Sequence, residues 1–319
     1  MAGATVNGAA NGASFAVPTS NALQQALSQK IVNGSAATPT QVVTGAGGAI
    51  TAGMVVVTSP QAMLFGAAAV PAASIVLNGQ FGHYTTATTP LSTVVAADNT
   101  NSSITNNNSA GALTAVTGAG ANVLAGMMGQ NDFTTGAGGQ DMVYLNGKSN
   151  TLTSNGGDAV LVGGPSTITA GASGVETIKL TKGTTLAFIN GSTTGATDTI
   201  VGAAKSAIVV SGTGSTSVMA GAGAEQFTIE TSAGNVTLTG STKGHDIFVF
   251  AKGMDTSTNK TLVNNFVVSD TLLIQGYTGF NVVASATNPA GSTLLLSDGA
   301  QITFNNVSAA TLAKTVKVT

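Results

Sequence analysis

The residues of this chain that could do chemistry are few and scattered. Its 319 residues include 12 acids, 10 basic residues, 2 histidines and no cysteine. His83 and His245 have Gly or apolar neighbours, no G-x-S-x-G elbow accompanies them, and Glu225 with Glu230 comes nearest to a carboxylate pair. Acid–base and nucleophilic catalysis both need partners within hydrogen-bond reach of each other. No catalytic residue is therefore expected, and both histidines read as surface or turn residues. The acids have one regularity: Asp141, Asp158, Asp198 and Asp246 each open a short β-favouring phrase. Asp at such a place forms turns through its own side-chain hydrogen bonds.

The phrases themselves come next, because they must position whatever the acids do. Between Asn122 and Phe250 the chain returns to one motif, as in NVLAG, DMVYL, DAVLVG, ETIKL, DTIVG, QFTIE and DIFVF. Each has alternating apolar residues closed by Gly, Asn or Ser, and starts recur every eight to twelve residues or so. Self-similarity at a short fixed period marks a repeat architecture. The strands are too short for an independent sheet, and glycine-rich corners supply the positive φ of tight turns. The expectation is an all-β chain, a parallel β-solenoid resembling a β-roll, with Val143, Leu161, Ile178, Ile200, Phe227 and Phe248 pointing inward. An antiparallel sandwich shares the strand spacing, but its strands seldom repeat a phrase this closely.

Composition narrows the function classes. Charged residues make up 7% of the chain, all ten basic residues are Lys, and the net charge is -2. Phosphate recognition favours Arg and a basic surface, so nucleic acid is excluded as a partner. The absence of cysteine rules out a disulfide framework and little more. The N-terminus lacks the basic and apolar regions of a secretory signal peptide, so the protein either stays inside or carries its export signal elsewhere.

Four regions are expected along the chain. Residues 1–45 form a small polar arm, ordered only on docking, and one short helix, with a start signal at Pro18 to Ser20 and a stop at Asn33-Gly34. The helix reads as a cap over the solenoid end, with partner docking as the alternative. Residues 46–120 are β-rich and belong to a stretch without formal charge from Ile31 to Ala97. The apolar run from Ala62 to Leu77 is too short for a membrane span and is broken by Pro71, so the chain is not expected to be transmembrane. Residues 121–250 hold the repeats, and 251–319 form a β-rich cap.

In that last region GHDIFVFAKG, LVNNFVVSDTLLIQG and STLLLSDGAQITFNNVSAATL follow one another in fixed order. Together they resemble the C-terminal region of RTX-type (haemolysin-type calcium-binding) proteins, over roughly residues 244–312. The resemblance implies type I secretion through an uncleaved C-terminal signal, and hence an extracellular or cell-surface location. It also implies Ca²⁺ as a cofactor, held between coils by turn-borne carboxylates. Gly136 to Tyr144 comes closest to the family's nonapeptide, which places Asp141 in the acid position and makes Asp158 and Asp246 further candidate metal ligands. The glycine pattern is only partial before Asp158, Asp198 and Asp246, and the acid is missing at Ala207, Ser217 and Asn235. Few or weak sites are therefore expected.

These observations favour an exported structural protein that assembles with itself into a surface layer, filament or matrix. A stretch without Lys or Glu lacks the charges that keep sheet surfaces apart, and Val56 and Val76 are expected on that exposed surface. The alternative is a calcium-dependent RTX-like adhesin or binding module, with a cell surface or matrix polysaccharide as partner.

Overall fold

A computed structural model describes residues 4–10, 13–33, 40–66, 72–86, 90–193, 195–230, 234–254, 260–286 and 288–319. The chain divides into two compact units, residues 1–160 with 164–166, and residues 161–163 with 167–319. Both are built as the expected parallel β-solenoid.

In the N-terminal unit, successive strands alternate between two sheets. The first sheet runs Thr40–Val43, Met54–Val57, Ala72–Leu77, Leu91–Ala96, Ala112–Val116, Gln130–Thr134 and Ser149–Ser154. The second runs Gly47–Ala49, Gln61–Phe65, Phe81–Thr86, Asn101–Asn106, Val123–Gly126 and Met142–Leu145. The region boundary expected at residue 120 does not interrupt the ladder, since Ser103 to Asn106 pair in parallel with Val123 to Gly126. Parallel strands buried on one face must alternate inward and outward. The inward series accordingly includes Ile75, Val94, Ile104, Leu124, Phe133 and Val143, all fully buried.

The C-terminal unit repeats the plan. One sheet carries Thr177–Leu180, Thr197–Val201, Ser215–Met219, Val236–Thr239 and Thr261–Asn264, and the other Thr185–Asn190, Ala207–Gly212, Gln226–Ile229, Ile247–Ala251 and Thr271–Gln275. Gly212 turns at φ 95°, where a Cβ would collide with the backbone of Asn190 one coil earlier. Only glycine fits that corner. The expected cap is an antiparallel meander of Phe280–Ala284, Ser292–Leu296 and Gln301–Phe304, followed by the helix Ala309–Thr315 and a last strand, Val316–Val318. Ser308 caps that helix by accepting a hydrogen bond from the Thr311 amide.

Of the expected inward residues, Val143, Ile178, Ile200, Phe227 and Phe248 are buried. Leu161 is not. Within Ala159–Val162 the buried pair is Val160 and Val162, and Leu161 points out, half-buried. Asp158 is itself buried and takes the first inward position, which shifts the alternation by one.

The N-terminal region also departs from expectation. The arm forms an antiparallel hairpin, Ala4–Ala10 with Ala13–Thr19, which docks on its own chain: Asn78 donates its side-chain amide to the Ala16 carbonyl, and the Asp98 amide donates to the Pro18 carbonyl. The helix Ala22–Asn33 begins after Asn21, whose side chain accepts from the Gln24 amide. It lies on the flank of the first sheet rather than over its end. Ile31 and Val32 pack with Val6 and Val17 against Val56, Val76 and Val95, which share one register on the outer side of that sheet. Val56 and Val76 are thus interior, contrary to the expectation that they lie exposed. Val76→Lys would bury an unpaired ammonium beneath the helix at a cost of several kcal/mol. A marked fall in melting temperature is expected, whereas an unchanged melting curve would show that helix and sheet are not packed.

No helix among the described residues is long and apolar enough to cross a membrane. The apolar run from Ala62 contributes to the strands Gln61–Phe65 and Ala72–Leu77 instead. Pro71 and Gly34, expected to break that run and to end the helix, lie outside the described residues.

Candidate interaction face and buried acid rows

Each acid that opens a phrase is the first inward residue of its strand. The inward alternation runs Asp141, Val143, Leu145 in one coil, Asp198, Ile200 in another, and Asp246, Phe248, Phe250 in a third, all of them buried. At Asn122, Asp141, Glu176, Glu225 and Asp246 the backbone N–H donates to the side chain of the acid at the same place in the following coil.

In the N-terminal unit Asp141 Oδ1 accepts from the Asn122 amide at 2.8 Å, and Asp158 Oδ1 accepts from the Asp141 amide at 3.0 Å. Asn122 does the same for Ser102 at 3.0 Å. In the C-terminal unit Asp198 accepts from the Glu176 amide at 2.9 Å, and Asp246 and Asp270 accept from the Glu225 and Asp246 amides at 3.0 Å. These bonds run between coils, and the second oxygens of Asp246 and Asp270 add the local bonds expected of a turn-forming Asp, accepting from the Ser241 and Val267 amides. A parallel row of amides runs through the N-terminal unit, with Asn106 donating to Asn131 at 2.9 Å and Asn131 to Asn150 at 2.8 Å.

Burial makes Asp141, Asp198, Glu225 and Asp270 reluctant to ionise. Desolvation, with the Asp158 carboxylate nearby, pushes Asp141 up to about 6. Desolvation and the neighbouring Asp246 push Glu225 up to about 7, and neither Glu225 carboxylate oxygen has a hydrogen-bond partner. Asp198 and Asp270 are raised by burial as well.

The three candidate metal ligands are all hydrogen-bonded within the protein. The second oxygen of Asp141 accepts from the Thr117 hydroxyl, that of Asp158 from the Thr135 and Ser154 hydroxyls, and that of Asp246 from the Ser241 amide. All six oxygens thus accept from protein donors, whereas Ca²⁺ wants six to eight oxygens turned toward it. Among the described residues no group of three or more His, Cys, Asp or Glu is placed to hold a metal. His245 is an exposed turn residue at φ 71°, and Glu230, the presumed neighbour of Glu225, is exposed at its strand end.

The outer face of the second sheet in the N-terminal unit has a different chemistry. Met63, His83, Ser103, Val123 and Met142 fall in one register, and Phe65, Thr85, Thr105, Ala125 and Tyr144 in the next. Met63 is 54% and Phe81 45% exposed, and Phe65, Val123 and Met142 are exposed too. A shallow groove of about 510 Å³ crosses these strands, lined by Met63, Phe81, His83, Asn101, Ser103 and Val123 among others. Burial lowers the pKa of His83, and its Nε2 lies 3.0 Å from the Thr85 hydroxyl. The face carries no formal charge. It continues past the boundary expected at residue 120, because register rather than sequence composition sets its extent.

Comparison with protein-family models, with curated proteins and with solved structures finds no match to this chain.

Proposed function

We propose that this chain is an exported structural protein that assembles with copies of itself into an extracellular layer, filament or matrix. The observation that supports it is the uncharged outer face of the second sheet, where Met63, Phe65, Phe81, Val123 and Met142 are exposed on one surface. From Ile31 to Asn131 the sequence contains one formal charge, Asp98. Contiguous apolar surface without charged neighbours favours association. The export part of the reading rests on the resemblance of residues 244–312 to substrates of type I secretion. The calcium-dependent alternative is less well supported, because the carboxylates it needs are committed to protein donors.

Light scattering of the full chain at rising concentration tests the reading. Growth of large species is expected, unchanged by a chelator, and Phe81→Lys should suppress it while leaving the melting temperature within a degree or two, as surface changes usually do. A monodisperse monomer at high concentration would sink the proposal.

A further inference from the structure

We propose that copies of this chain join end to end by strand addition, the free edges of one copy's C-terminal unit pairing with the free edges of the next copy's N-terminal unit. This rests on the self-assembly reading and adds to the apolar face a second contact, between coil ends. Among the described residues the two long sheets end in four strands with one unpaired side: Thr40–Val43 and Gly47–Ala49 in the first coil, Phe280–Ala284 and Val316–Val318 in the last. An unpaired row of N–H and C=O groups is a template for another strand.

Strand direction suits a second copy in both sheets. Val316–Val318 runs parallel to Thr271–Gln275. Phe280–Ala284 is antiparallel to Ser292–Leu296, which is antiparallel to Gln301–Phe304, which is parallel to Thr261–Asn264. Two reversals restore the original direction. Each terminal edge therefore runs the way its own ladder runs, and another first coil can continue the parallel pairing.

The side chains agree with this. Val316 and Val318 stand in register with the fully buried Leu272 and Ile274, so they extend the inward column. Val318 is nonetheless 50% exposed. On the receiving side, Val43 stands in register with the inward Val57, and the strands Thr40–Val43 and Gly47–Ala49 contain no charge and no proline. Those are the usual devices for blunting an edge. The helix and hairpin pack on the flank of the first sheet, against Val42, Val56, Val76 and Val95.

A cysteine-free chain allows a direct test. Ala49 and Asn281 are both exposed edge residues, and neighbouring strands lie about 4.8 Å apart, within the Cα separation of a disulfide. The double variant Ala49→Cys/Asn281→Cys, oxidised under assembling conditions, is expected to give a ladder of covalent multimers on a non-reducing gel. Each single variant should give no species beyond a dimer, and melting curves should match the parent. Multimers absent while light scattering still reports assembly would overturn the edge contact and leave the proposed function standing. A strong dimer from Ala49→Cys alone would mean that two first coils meet symmetrically, which also overturns it. Loss of scattering in the unmodified chain would overturn both readings.

Discussion

Phe227→Asp is expected to abolish the cooperative melting of the C-terminal unit. Phe227 is buried and begins a chain of rings: its centroid lies 5.3 Å from Phe248, which lies 5.6 Å from Phe266, which lies 5.3 Å from Phe304. Tilted and edge-on pairs at these separations add about 0.5–1.5 kcal/mol each beyond burial. Truncating such a Phe to Ala costs about 3–5 kcal/mol, and Asp adds an unpaired charge in the same space. The stack links the repeat coils to the meander through Phe304, so the damage should reach the end of the unit. Phe227→Leu, which keeps most of the volume, is expected to cost less than about 1.5 kcal/mol. Circular dichroism and thermal melts separate the two, and an unchanged melt for Phe227→Asp would refute the inward assignment.

The second large effect is on pH. Asp141 titrates from the ordinary 3.8 up to about 6 in the folded chain, and Glu225 from 4.5 up to about 7. Between these limits the folded state binds more protons than the unfolded chain. Stability must therefore fall as pH rises through roughly 4 to 7, and rise again on acidification. For Asp141 alone the difference is on the order of 2–3 kcal/mol. Asp141→Asn removes the ionisation while keeping an oxygen for the Asn122 amide, and the chain already places Asn122 at this position one coil earlier. The variant should melt higher than the parent at pH 7.5 and no higher at pH 4. Equal melting temperatures at pH 5 and 7.5 in the parent would show that these carboxyls are ionised at little cost.

The solenoid was legible because alternation and period survive in the sequence: Val143, Ile178 and Phe227 can be assigned inward from DMVYL, ETIKL and QFTIE alone. The phrases at Gln130–Thr134 and Thr185–Asn190 were harder to see. In the first, one inward position is Asn131, whose burial depends on Asn106 and Asn150 from other coils. The inward place of the acids was harder to see for a related reason. Asp141 lies two residues before the inward Val143 and so must face inward too, but an acid's polarity suggested a solvent-facing turn or a metal ligand. The rule that buried polar groups need partners could have found the row, since Asp141, Glu176, Glu225 and Asp246 each have another acid at the same place in the next coil. Val56 and Val76 were misplaced because strand periodicity separates two faces without saying that a distant helix covers one of them.

The order in which partners become available also follows from the ladder. Ser103 finds Val123 about one coil later, and Thr199 likewise follows Thr177. Such spacing keeps loop closure short and uniform, so coils can be added one at a time from the first. Closing the last coil breaks this rhythm: Thr261 must wait for Ile302, and Leu272 for Val316. The strands Thr261–Asn264 and Thr271–Gln275 therefore hold an open side while about forty further residues are made, about twice the wait of the earlier coils, and their pairing is the slowest step of the ladder.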